Sequence, residues 1–303
     1  MFGICLIHVA GFSCGFENKY ISLMNLFAVP GFVFISGYYG IKFRFKKLLS
    51  LYFNAFYACV VVQIVKLALG VGDFEIVEML KMFRGFWFLN AYAVLMMFSP
   101  VLNHMLSGVE SYSLERKKTF LKSLSPVFLL IFGWGWVRSI PWCNGYIFVS
   151  PGVEPMSGLM MIGVYLFARL IRLWNVKNMV TKRFLILVLV LGYPIEFLGL
   201  GSYTSIVASF MAFAWFVLIK DSVYCERLGK YVAWMVPSLF SIYLLHAHNA
   251  VGFPLITRYN YWLVEHGLPL GVMYFVSSAS VFIVGIILDL PRRFLLRTAK
   301  FLP

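Results

Sequence analysis

Charge is scarce in this 303-residue chain. Asp, Glu, Lys and Arg make up 13% of it, and only 12 of those residues are acidic against 26 basic. A soluble domain carries about a quarter charged residues, because its surface must be hydrated. The shortage excludes an ordinary water-soluble globule. Cysteine is sparse too: Cys5, Cys14, Cys59, Cys143 and Cys225 show neither CxxC nor Cys/His ligand spacing. That argues against a zinc site, and no metal is expected. Cys14 and Cys143 fall toward the same face of the expected topology, where they either pair or stay buried as free thiols. No fixed-period repeat, linker, low-complexity run or composition shift divides the sequence, so it reads as one domain over 1–303. The first residues lack a basic n-region and a small-residue cleavage site, so they read as a span rather than a signal peptide.

Apolar surface is what the chain has in excess. Hydrophobic residues form 61% of it and the mean hydropathy is +0.85. Apolar runs of about 17–25 residues mark helical spans. Ten can be placed, at 2–16, 23–41, 48–69, 86–106, 123–137, 156–168, 184–200, 203–219, 232–251 and 268–290. The fifth and sixth are shorter than a bilayer requires. The fold class expected is all-α, a polytopic transmembrane bundle of about ten spans. Lys and Arg alternate with this scheme: twenty of the 26 lie in the connections after the even-numbered spans and in the C-terminal tail, five lie in the other connections, and Lys66 lies within a span. By the positive-inside rule, both termini are cytoplasmic. The net charge of +14 then reflects loops lying against anionic lipid and calls for no nucleic-acid partner.

Ionisable residues inside apolar spans are costly, and they mark functional sites. His8 lies about 13 Å from the outer end of the first span, near the midplane of a ~30 Å core. An imidazole suits general-base work, because one nitrogen can accept a proton while the other is held; the competing reading is a structural histidine bonded to a neighbouring helix. Lys66, Glu196 and His246 all fall in the outer halves of their spans. They either line a polar cavity open to the outer face or, most clearly for Lys66, snorkel to the interface. In Val29–Tyr38, the small residues Gly31, Ser36 and Gly37 allow close approach of another helix, and Ser36 can bond back to the carbonyl of Phe32. Arg84 and Trp87 stand at the outer mouth of the fourth span, where Trp ordinarily anchors a helix in the interface.

In order and spacing these pieces resemble the acyltransferase 3 family of integral-membrane O-acyltransferases. The residues that carry the resemblance are Ile7-His8-Val9, then Val29-Pro30-x-Phe32-x-Phe34-Ile35-Ser36-Gly37-Tyr38, and then the basic run Phe43-Arg44-Phe45-Lys46-Lys47-Leu48-Leu49. Trp87-Phe88-Leu89 with Ser99-Pro100, and Ser241-Ile242-Tyr243-Leu244-Leu245-His246, follow the family's fourth and ninth spans. The resemblance implies transfer of an acyl group, commonly acetyl from acetyl-CoA or another acyl-CoA, to a hydroxyl of a surface or lipid-linked glycan. No bound cofactor is implied, and the setting is a bacterial cytoplasmic membrane. His8 would be the general base, and Arg44, Lys46 and Lys47 would meet CoA phosphates. Ser36 and Gly37 would wall the site, with Arg84, Trp87, Glu196 and His246 on the acceptor side. In such proteins an Arg or Lys lies about eleven residues before the histidine, whereas this sequence starts seven before His8. The expectation is a longer chain with that basic residue upstream. Two other readings stand beside this one: a polysaccharide or lipid-linked sugar transporter or flippase, and a catalytically dead homologue acting as a subunit.

Overall fold

A computed structural model describes residues 2–12, 19–70, 73–139, 155–175, 180–198, 205–220, 222–246 and 252–298. Among the described residues all regular structure is helical, and there is no strand. In chain order the helices are α1 (Phe2–Phe12), α2 (Lys19–Met24), α3 (Ala28–Tyr39), α4 (Phe45–Ala68), α5 (Ile76–Gly85), α6 (Trp87–Met105), α7 (Leu114–Ser139), α8 (Pro155–Leu173), α9 (Lys182–Phe197), α10 (Ile206–Lys220), α11 (Val223–Val232), α12 (Leu239–His246), α13 (Gly252–Glu265) and α14 (Leu270–Thr298). Short 3₁₀ turns cover Val109–Ser111 and Ala233–Ser238.

Three helical stretches, Phe45–Ala68, Trp87–Ser111 and Leu270–Arg297, are long and apolar enough to cross a membrane. The 24 residues of the first rise about 36 Å, against a ~30 Å hydrocarbon core. Ala28–Tyr39 and Ile206–Lys220 are shorter apolar helices. Phe53, Phe56, Ile64 and Leu67 of α4, and Phe275, Ile283, Ile287 and Leu290 of α14, point outward. A surface helix of a soluble protein carries charge at such positions, whereas a helix that is apolar all round belongs in a core or a bilayer.

The chain divides into two compact units. The first comprises Met1–Asn25, Arg44–Phe86 and Arg227–Pro303. Here α1 is the central element. Its Val9 and Ala10 pack with Ile256 and Leu263 of α13 and Met273 and Tyr274 of α14. Cys5, one turn earlier, packs with Ile242 of α12 and Ile286 of α14. The second unit comprises Leu26–Phe43 and Trp87–Glu226 and is built on α3 against α8 and α10. Gly37 sets the α3–α8 approach: a Cβ added there would stand 2.6 Å from the Tyr165 carbonyl oxygen and 2.9 Å from the Ala168 Cβ. Phe34 meets Phe167, Phe213 and Phe216 with ring centroids 5.2–6.0 Å apart.

Several elements depart from the sequence reading. The ninth run, expected as one span over 232–251, begins with a 3₁₀ segment and continues, within the described residues, as the eight-residue α12. Pro237 causes the break, since it has no N–H to donate and its ring crowds the carbonyl one turn back. The fifth and sixth runs are longer than expected, 26 residues in α7 and 19 in α8. Gly252–Glu265, expected as a connection, is helical. Its buried Ile256, Asn260 and Leu263 recur at helical spacing, while Arg258, Tyr261, Trp262 and Glu265 face outward. Cys14 and Cys143 lie outside the described residues, whereas Cys5 and Cys59 are buried free thiols.

Candidate functional site

α1 brings His8 against the end of α12. Residues Ser241–His246 of α12 are all buried, and His246 is its last residue. The Nδ1 of His246 stands 2.5 Å from the carbonyl oxygen of Ile242, one turn earlier. A carbonyl only accepts, so this nitrogen carries the proton and Nε2 holds the lone pair. That lone pair lies 2.8 Å from Nδ1 of His8. His8 Nδ1 is therefore the donor, and the basic lone pair of His8 is on its Nε2. The tautomers follow from the bonding network. They form a directed chain, in which His8 Nδ1–H donates to His246 Nε2 and His246 Nδ1–H donates to Ile242 O. The two imidazoles are 4.9 Å apart at their centroids, and the Tyr243 ring is 6.2 Å from His8.

Buried polar contacts hold α12 in place. Ser241 Oγ donates to Asn54 Oδ1 of α4 over 2.6 Å. Arg292 makes a bidentate pair with Asp289 one turn earlier in α14, at 2.5 and 2.9 Å, and its Nη2 also donates to the Pro237 carbonyl at 2.9 Å. Both partners of the pair are buried. A guanidinium that serves a carboxylate and a carbonyl together satisfies the polar group at the break in the helix and keeps its own charge compensated. A cavity of about 420 Å³ opens beside this assembly between α4, α12, α13 and α14. Its walls are mostly Val, Leu and Ile; His246, and the Tyr259–Ser280 hydroxyl pair at 3.1 Å, supply the polar groups.

Of the residues singled out in the sequence, the structure brings His8 and His246 into contact. Arg44, Lys46 and Lys47 belong to the same unit and are exposed at the N-terminal end of α4. Lys66 lies 4.0 Å from Glu75. Ser36, Gly37, Trp87 and Glu196 belong to the other unit. There Ser36 bonds Phe32 O and Tyr92 OH, both at 3.1 Å, and Gly37 packs on α8. Trp87 meets the Phe88 ring edge-on at 5.7 Å. Glu196 is buried, and its Oε1 accepts from Ser205 at 3.4 Å. Arg84 lies in α5, outside the residues whose side chains are described. The sequence reading names Ser241 only as part of a motif and misses Asn54, Asp289 and Arg292. For the last two a signal is present: an acid and a base three residues apart, starting inside an apolar run, can pair on one helix face.

Comparison with protein-family models, with curated proteins and with solved structures finds no match to this chain. What can be said of its chemistry comes from its own residues.

Proposed function

We propose that this protein is a membrane O-acyltransferase that uses His8 as general base. The observation that carries the reading is the directed chain from His8 through His246 to the Ile242 carbonyl, with His246 in the wall of a cavity. A general base must have one nitrogen held in place, and the chain holds Nδ1 of His8. In the reaction, an acceptor hydroxyl gives its proton to His8 Nε2 as its oxygen attacks the thioester carbonyl of acyl-CoA. The charge that develops on His8 is shared toward His246 through Nδ1–H. The carbon–sulfur bond then breaks, and the departing thiolate takes the proton back from His8 Nε2. The products are an ester and the free thiol of CoA.

The finer architecture belongs to the same proposal: ten spans, cytoplasmic termini and a bacterial cytoplasmic membrane. Arg44, Lys46 and Lys47 would meet donor phosphates, and acetyl-CoA is the expected donor. The acceptor is a glycan or lipid-linked glycan hydroxyl. The test is transfer of labelled acetyl from acetyl-CoA by purified protein, compared between wild type and His8→Gln. General acid–base catalysis is worth ~10²–10⁴-fold, so the variant should lose at least that much while still inserting normally. Retention of more than about a tenth of the rate rules out an essential base.

One observation favours a transporter as the second reading. The helix interrupted at Ala233–Ser238 has a buried Arg–Asp pair beside it, and transporter sites are commonly built from discontinuous helices. Proton-coupled uptake into proteoliposomes, without consumption of acyl-CoA, would select it.

A further inference from the structure

The second unit contains a group of cations that the proposed transfer chemistry does not use. α3 ends at Tyr38-Tyr39-Gly40, and α8 and α10 bring basic side chains to that end. The Arg172 guanidinium lies 5.2 Å from the Tyr38 ring centroid and 5.6 Å from that of Tyr39. Lys220 Nζ lies 4.8 Å from the same Tyr38 ring and donates to its hydroxyl over 3.0 Å. The Arg169 guanidinium lies close to Gly40, where a Cβ would stand 3.1 Å from its Cζ and Nη1. Gly40 has φ +80°, so glycine serves both the left-handed backbone and the close approach of the guanidinium.

The position of these groups is fixed. Ile41 N donates to Tyr165 OH at 3.1 Å, Tyr165 OH donates to Asn103 Oδ1 at 2.8 Å, and Asn103 Nδ2 donates back to Ile41 O at 2.9 Å. Ile41 N is thus tied to a buried tyrosine on the helix that carries Arg169 and Arg172, and Ile41 O to the asparagine that this tyrosine bonds. Yet the arginines have no counter-charge among the described residues. Among the described residues neither makes an ion pair, and the buried Nε of Arg169 has no hydrogen-bond partner. The carbonyls of Ser36 and Gly37 receive the Gly40 N–H and need no arginine. A cation near a helix C-terminus is favourable, but two arginines and a lysine gathered at one end repel each other. An anion with several acceptor oxygens resolves both deficits, because guanidinium forks match phosphate geometry.

We propose that Arg169, Arg172 and Lys220, arranged around Tyr38–Gly40, form a phosphate-binding site. The exposed Tyr39 and Arg172 leave it accessible. The ligand is a phosphate ester, either a soluble nucleotide or the headgroup of an anionic lipid. The site does not rest on the transferase reading, and its test measures binding alone, so either can fail without the other.

Purified protein in neutral detergent should be titrated with adenosine 3′,5′-bisphosphate and with inorganic pyrophosphate by calorimetry. In parallel, phosphatidylglycerol retention against phosphatidylcholine should be counted by native mass spectrometry. At least one phosphate probe should bind saturably. Arg172→Gln should weaken that binding severalfold, and Arg169→Gln with Arg172→Gln at least tenfold, with Arg169→Lys intermediate. Binding of the nucleotide without lipid identifies a soluble ligand, and retention of phosphatidylglycerol alone identifies a headgroup. Should the double variant misfold, the exposed single variant Arg172→Gln decides. Absence of saturable binding to every phosphate probe, or wild-type affinity in a folded Arg172→Gln, overturns the proposal.

Discussion

A histidine that donates to a carbonyl in its own helix has one nitrogen left, and its partner must then be a donor. That constraint makes His246 the residue that orients His8, and it predicts how the two behave when changed. His246→Ala removes the acceptor for His8 Nδ1–H and should lower acyl transfer about 10- to 100-fold, less than His8→Gln does. Because the two act as a unit, the double variant should be no slower than His8→Gln alone. Multiplicative losses in initial rates, measured on equal amounts of inserted protein, would sink the coupling. The buried Asp289–Arg292 pair makes a stability prediction of the same scale. Asp289→Ala leaves a guanidinium without its carboxylate and should cost about 3–5 kcal/mol. Replacing both, Asp289→Leu with Arg292→Met, should recover most of that loss, since buried pairs are often neutral against apolar residues of similar size. Denaturant titration in detergent measures both; equal destabilisation by the single and double variants would contradict it.

Among the elements, the interrupted helix and the α3–α8 contact do the most to shape their units. Pro237 lies within the 3₁₀ segment, Arg292 takes up its carbonyl, and the eight residues of α12 deliver His246 to His8. A straight helix through this region would have no carbonyl for Arg292 to serve. In the other unit, Gly37 lies against the backbone of Tyr165, so any side chain there must push α3 off α8. Gly37→Leu should lower stability by about 1–3 kcal/mol, the range for overpacking a filled contact. Gly133→Leu, where an added Cβ meets nothing within 4 Å, is the control and should change little. Thermal unfolding of the two variants side by side checks this.

For the whole molecule the question is orientation across the bilayer. The proposed topology places the basic loop at 116–122 in the cytoplasm and the segment at 73–75 outside. In a cysteine-free background, Lys118→Cys should react with an impermeant maleimide only in inverted vesicles, and Asp73→Cys only in intact cells. Labelling of both from one side would remove a span between them and overturn the count of ten. Three helical stretches already meet the length and composition of spans. The rest of the count leans on the alternation of Lys and Arg.

Helical class and apolar excess were legible because they are properties of runs: hydrophobicity summed over some twenty residues survives any error at single positions. His8 and His246 were each legible as polar residues in apolar runs. Their partnership was not, because 238 positions separate them and nothing local says which faces of α1 and α12 meet. The break at Pro237 had a local cause, but a proline inside an apolar run reads equally well as a kink. The helix at Gly252–Glu265 was missed because its period of apolar residues is diluted by Arg258, Asn260 and Glu265, and burial against α1 and α14 decides it. Composition and apolar runs together determined that this chain is helical and suited to a bilayer. Only packing decided which imidazole donates to which, because a hydrogen bond's direction depends on the third group that holds the proton.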